Sequence, residues 1–136
     1  MMPNPLFPAN HIPKIRLVVA EDSQGTRHNL INLLGFEPDI EVVGAVGWAQ
    51  QALDLVAHLR PRLVLMDINL PDMDGLEATR RIRTSFPEIN VIVMSVHDEE
   101  SYYRRAREAG AVAYLVKPFS GDELVNVIRR YAIVYS

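Results

Sequence analysis

The stretch "LVLMDINLPDMDG", Leu63 to Gly75, decides the fold. Four aliphatic residues, Leu63 to Met66, run without a polar interruption and then stop on Asp67. A run lacking in-out alternation reads as a strand covered on both faces, and a carboxylate is among the most expensive groups to set at the end of one. A turn accounts for Asp72, Asp74 and Gly75 as loop and helix-start residues, but Asp67 comes too early for it. A calcium loop fails as well. Aligning Gly75 with the invariant glycine of an EF-hand puts Leu70 at the first ligand position and Arg81 at the last. Taken alone, Asp67 is a turn or capping acid, so its meaning depends on what stands at the other strand ends.

Outward from that stretch, similar runs recur: "IRLVVA" (15–20), "IEVVGAV" (40–46), "VIVMSV" (91–96) and "AYLVK" (113–117). Between them lie segments with helical spacing. Leu30, Leu33 and Leu34 make one stripe, and Ala49, Ala52, Leu53, Val56 and Leu59 a cleaner one. Leu76, Thr79, Ile82 and Phe86 follow Gly75; "DEESYYRRAREAG" stops at Gly110; Leu124, Val127, Ile128 and Tyr131 mark the last. Five strands alternating with five helices predict a doubly wound α/β fold over residues 14–134. Residues 1–13, with four prolines and no periodicity, read as a disordered or loosely attached arm.

Composition sets the outer bounds. The 136 residues fit one domain, 49% are hydrophobic, and the formal net charge of −3 gives no general attraction to nucleic acid or acidic membranes. The absence of cysteine excludes disulfides and thiolate metal sites. No apolar run approaches the roughly 18 residues of a membrane span, and no secretory signal is evident, so the expectation is a cytoplasmic protein with no membrane partner.

The odd polar residues now fall into place. Glu21 and Asp22 follow the first strand, Asp67 ends the third, Ser95 lies near the end of the fourth and Lys117 closes the fifth. In a parallel sheet all carboxyl ends share one edge, where such folds keep their ligand sites. The second strand delivers nothing polar, as befits an outer strand away from the site. Three carboxylates against one ammonium leave an excess negative charge that a divalent cation would cancel. An all-oxygen set points to Mg²⁺, with Mn²⁺ possible, before zinc or copper. Ser95 and Lys117 can then hold phosphate oxygens, an arrangement suited to phosphoryl transfer onto a carboxylate.

"VVAEDS", "LVLMDINLPDMDG", "VIVMS" and "YLVKPF" resemble the successive motifs of response regulator receiver domains of two-component signalling. The resemblance covers about residues 14–134. It implies a flavodoxin-like fold with strand order 2-1-3-4-5. Asp67 becomes the acceptor of a phosphoryl group from a sensor histidine kinase, and Glu21, Asp22, Asp67 and the backbone carbonyl of Asn69 hold Mg²⁺. Ser95 and Lys117 grip the phosphoryl oxygens, Ser95 and Tyr114 act as the switch pair, and Asn69 and His97 occupy positions that tune the acyl phosphate's lifetime. A cis Lys117–Pro118 bond is expected too. Glu21 stands where Asp is common and Ser95 where Thr is frequent; both keep the required chemistry. "EDS" and "KPFSGDEL" are similar to receivers that precede a LuxR-type helix-turn-helix domain, which implies transcription regulation. Dimerisation or output would use the face of helix 4, strand 5 and helix 5, or that of helices 1 and 5, with Ile133, Val134 and Tyr135 as contact residues and no nucleic acid bound by this domain itself.

Two other functions compete. A metal-dependent phosphohydrolase would also use Asp67 as nucleophile, but haloacid-dehalogenase-type enzymes carry an acid where this chain has Asn69. A degenerate receiver working as a phosphorylation-independent binding module conflicts with the intact residue set. Elsewhere, His11, His28 and His58 read as surface residues and His97 as an exposed loop residue. The clusters Arg80, Arg81, Arg83 and Arg104, Arg105, Arg107 read as solvated helix faces. Of the adjacent Tyr102 and Tyr103, at least one is expected to be exposed and available to a partner.

Overall fold

The five aliphatic runs form five parallel strands: β1 (Ile15–Ala20), β2 (Ile40–Val46), β3 (Leu63–Asp67), β4 (Asn90–Ser95) and β5 (Ala113–Val116). They alternate with α1 (Gln24–Gly35), α2 (Ala49–Leu59), α3 (Gly75–Ser85), α4 (Glu100–Glu108) and α5 (Gly121–Tyr131). The structure, a computed structural model, describes residues 13–132. The N-terminal arm expected before that point, His11 within it, and the contact residues Ile133, Val134 and Tyr135 lie outside the described residues. No helix among the described residues is long and apolar enough to cross a membrane.

The sheet order is β2-β1-β3-β4-β5, as the resemblance implied, with β2 at one side. Side chains alternate between two separate cores, which is why the sequence shows no alternation of polarity. Val18, Ala20, Val64, Met66, Val91 and Val93 pack on the face covered by α2, α3 and α4. Leu17, Val19, Leu63, Leu65, Ile92 and Met94 pack on the face covered by α1 and α5. Both faces are buried, so the register is strongly fixed, because a slip of one residue would exchange the two sets.

That register positions the site. Ala20 pairs with Met66, Asp67 with Met94, and Ser95 with Val116. One step beyond these pairs lie Glu21 on β1 and Lys117 on β5, so four chain segments end at the same level. The turns there are tightly built. Gly75 donates its N–H to the carbonyl of Ile68 at 2.8 Å, and a Cβ at this position would lie 2.0 Å from the carbonyl oxygen of Asp67. Only glycine lets α3 start so close to the acid. Asp74 caps α3 by accepting from the N–H of Leu76. Asp72 caps a different helix: its carboxylate accepts from the N–H groups of Ala49 and Gln50 at 2.8 and 2.9 Å. Trp48, at the N-cap of α2, has no capping side chain of its own, so Asp72 takes that role across the loop. Just past the end of α4, Gly110 adopts a left-handed φ of 98°, the stop expected from sequence.

Two expectations need correction. Neither Tyr102 nor Tyr103 is exposed; both are half-buried, Tyr102 stacked on His97 and Tyr103 tilted against Tyr114 with centroids 4.4 Å apart. A helix can seat adjacent aromatics when a neighbouring loop and strand rise to meet both. The arginine clusters also divide. Arg80 and Arg81 are solvated and pair with Glu77, as expected, but Arg83 donates to the carbonyls of Pro87 and Ile89. Arg104, Arg105 and Arg107 are exposed as expected, Arg105 with its guanidinium over the Tyr102 ring.

Candidate functional site

At the carboxyl end of the sheet, carboxylate oxygens of Glu21, Asp22 and Asp67 lie within 4.8 Å of one another. Glu21 and Asp67 are almost wholly buried, at 1% and 4% exposure, whereas Asp22 is exposed. Lys117 reaches between the buried pair: its Nζ donates to Asp67 Oδ2 at 2.8 Å and to Glu21 Oε1. The remaining oxygens are used as well. Asp67 Oδ1 accepts the N–H of Asn69 at 2.9 Å, and Glu21 Oε2 accepts that of Ser23 at 3.2 Å.

Burial, with Asp67 alongside and Lys117 opposing, pushes the Glu21 carboxyl up from 4.5 to about 7. Lys117 is raised. Burial works against its charge, but the hydrogen bonds to Asp67 and Glu21 prevail. One ammonium thus serves two carboxylates, and the cluster keeps surplus negative charge facing the opening beside Asp22. Three oxygen donors with no nitrogen or sulfur among them suit a hard divalent cation.

Ser95 is buried at 1% exposure, and its Oγ accepts the N–H of His97 at 3.1 Å. The same His97 accepts the Tyr114 hydroxyl through its carbonyl at 2.6 Å. Burial raises the pKa of Tyr114, so that hydroxyl keeps its proton. The imidazole of His97 stacks on Tyr102, with centroids 4.2 Å apart and planes 5° from parallel. It is a half-buried, anchored group rather than the free loop side chain that sequence suggested. The Lys117–Pro118 peptide is cis.

Glu21, Asp22, Asp67, Asn69, Ser95, His97, Tyr114 and Lys117 therefore all belong to one corner of the molecule. Sequence reading overlooked one support of it. The Arg27 guanidinium donates to the carbonyl of Glu21 at 2.7 Å and holds the turn that presents both Glu21 and Asp22. Its only sequence signal is a cation one helical turn into α1. Trp48, 51% exposed, lines a cleft of about 540 Å³ together with Asp22, Arg27, Gly47, Gln51 and Pro71. The indole therefore stands on the same opening as the exposed acid.

Residues 17–129 match the response regulator receiver domain family. The transcriptional regulatory protein DegU of Brevibacillus brevis is 37% identical over 116 residues, which are 85% of this chain and 49% of that protein. Protein-glutamate methylesterase/protein-glutamine glutaminase 1 of Syntrophus aciditrophicus is 44% identical over 106 residues, 76% of this chain and 30% of that protein. Among solved structures, the signal receiver domain of the response regulator NarL from Mycobacterium tuberculosis superposes with a TM-score of 0.85 at 28% identity, covering 88% of this chain and 97% of that one. The chain spans half or less of the length of these two curated relatives.

Proposed function

Because the chain belongs to the response regulator receiver domain family, the phosphorylation-controlled switch of two-component signalling, we propose that Asp67 is the carboxylate that takes the phosphoryl group. The observation that carries this reading is the pair of buried carboxylates bound by a single ammonium, with a buried hydroxyl at the next strand end. A structural ion pair has no use for the second acid.

In the reaction, an oxygen of Asp67 forms the bond to phosphorus as the bond from phosphorus to the donor nitrogen of a kinase histidine breaks. The electron pair returns to the imidazole. Lys117, already on Asp67 Oδ2, is within reach of a phosphoryl oxygen once the acyl phosphate forms. The Ser95 hydroxyl donates to another. Glu21, Asp22, Asp67 and the carbonyl of Asn69 would hold Mg²⁺, which would supply neutralisation of the charge on the carboxylate and phosphoryl group. The N–H of Asn69 keeps the Asp67 carboxylate in its rotamer for attack.

The switch follows from the Ser95–His97–Tyr114 links. A Ser95 hydroxyl drawn to the phosphoryl group takes the His97 backbone with it, and the Tyr114 hydroxyl is bound to that backbone. Phosphorylation then alters the surface formed by α4, β5 and α5, where dimerisation or an output contact would respond. The DegU relative is named as a transcriptional regulator, which supports an output in transcription for a longer protein containing this domain. The sensor histidine kinase is the partner on the donor side.

The test uses phosphoramidate as a small phosphodonor, with intact mass as the readout. The wild-type chain gains one phosphoryl group only when Mg²⁺ is present, and Asp67→Asn gains none. Equal labelling of Asp67→Asn would overturn the assignment, and turnover of many equivalents of a phosphate ester would favour the hydrolase.

A further inference from the structure

The two residues at the lifetime-tuning positions, Asn69 and His97, stand on different loops, yet one continuous set of contacts joins them. His97 stacks face to face on Tyr102 at 4.2 Å. The guanidinium of Arg105, one turn along α4, lies 5.4 Å from the centre of the Tyr102 ring. Arg105 also reaches Asp74 Oδ2 at 3.5 Å, and the backbone of Asp74 forms an isolated bridge with Asn69. At the far ends the chain closes on the site itself, since Asn69 donates to Asp67 and His97 donates to Ser95.

We propose that Tyr102 and Arg105 form a brace on α4 that positions His97 and Asn69 and thereby sets the lifetime of the phosphoryl group on Asp67. Both are positioning residues, and no hydrogen bond or ion pair joins either to Glu21, Asp22, Asp67 or Lys117. The inference rests on phosphorylation at Asp67. In the step concerned, the oxygen of a water bonds to phosphorus while the bond from phosphorus to the Asp67 oxygen breaks. The carboxylate recovers the electron pair, inorganic phosphate leaves with one proton, and the other passes to solvent. The two loops beside that phosphorus limit how water approaches it, and the brace fixes both. Its strong member is the ring stack, which the surrounding half-buried groups keep in place. The ion pair is the weaker one, because Arg105 and Asp74 are each about half exposed. The arrangement also gives the α4 surface a route back to the chemistry. A partner that moved Tyr102 would alter phosphoryl lifetime without approaching Asp67.

The experiment measures loss of the phosphoryl group by intact mass after removal of phosphoramidate, beside thermal unfolding of each variant. Tyr102→Ala shortens the lifetime by up to about tenfold, the kinetic equivalent of one aromatic pair. Tyr102→Phe, which keeps the stack, retains the wild-type lifetime, and Arg105→Ala shortens it less. In a His97→Ala background, Tyr102→Ala has no further effect, as expected when one residue acts through the other. A Tyr102→Ala lifetime equal to or longer than wild type overturns the brace, as does full additivity with His97→Ala. A change in unfolding temperature alone identifies Tyr102 as packing and overturns the brace too. Failure of the wild type itself to label would instead refute the assignment of Asp67, and the brace with it.

Discussion

The two ends of the same sheet carry opposite charges for opposite reasons. At the carboxyl end, Glu21, Asp22 and Asp67 crowd together around Lys117, and burial, with Asp67 alongside, pushes Glu21 up to about 7. At the amino end, arginines do structural work. Arg16 donates to the carbonyls of Leu59 and Arg60 at the end of α2, and Arg62 donates to that of Ala132 at the end of α5. These carbonyls lie at the negative poles of their helices and have no intrahelical partner, so each contact relieves a deficit. Arg129 adds a clamp from α5 onto Glu37 and Asp39, just ahead of β2. The amino end is arranged for stability. The carboxyl end gives stability up, holding buried carboxylates that a single ammonium does not balance.

The largest effects should fall at the carboxyl end. Lys117→Ala leaves two buried carboxylates without their cation, so the metal-free protein loses on the order of 3 kcal/mol. Added Mg²⁺ restores most of the loss in a thermal melt, while phosphorylation no longer produces a structural response. If the variant melts like wild type in the absence of metal, the cluster is not under the strain described.

Next is the pH profile of the metal-free protein. Glu21 has its carboxyl raised in the folded state, from 4.5 to about 7. The folded chain therefore holds a proton that the unfolded chain has released, and stability declines as pH rises through that window. Urea melts across it should show the decline in wild type and a flatter profile in Glu21→Gln. Parallel profiles would contradict the assignment of the shift to this residue.

At the amino end the effects are smaller and confined to stability. Arg16→Ala and Arg62→Ala each lose roughly 1 kcal/mol from an uncapped helix terminus, with phosphoramidate labelling unchanged. A change in labelling rate would show that the two ends are coupled. Smallest is Arg129→Ala, about 0.5 kcal/mol for partly exposed ion pairs with Glu37 and Asp39. Arg129 holds the Asp39 carboxyl below its ordinary range, so this contribution is present above the unfolded pKa of Asp39 and vanishes as pH falls through the folded one.

The contrast also explains what was legible in the sequence. Doubly covered strands announce themselves as unbroken aliphatic runs, and a parallel sheet brings their carboxyl ends together whatever the loops do. The runs alone therefore suffice to group Glu21, Asp67, Ser95 and Lys117. The supports were harder to see, because each depends on how two distant segments meet. Asp72 looks like a turn acid, yet it caps α2 across the loop. Arg27, Arg16 and Arg62 look like surface cations, yet they hold backbone carbonyls. Tyr102 and His97 are five residues apart in the chain, and nothing in that spacing foretells a parallel stack. Periodicity reports burial, not the identity of the neighbour.

The most direct measurement locates the phosphoryl group. Wild-type protein is labelled with phosphoramidate and Mg²⁺ and reduced with borohydride, which converts an aspartyl phosphate to homoserine. Peptide mass spectrometry then reads the modified position. Homoserine is expected at position 67 and nowhere else. Homoserine at 22 or 72, or phosphate retained on a serine or histidine after reduction, would contradict it.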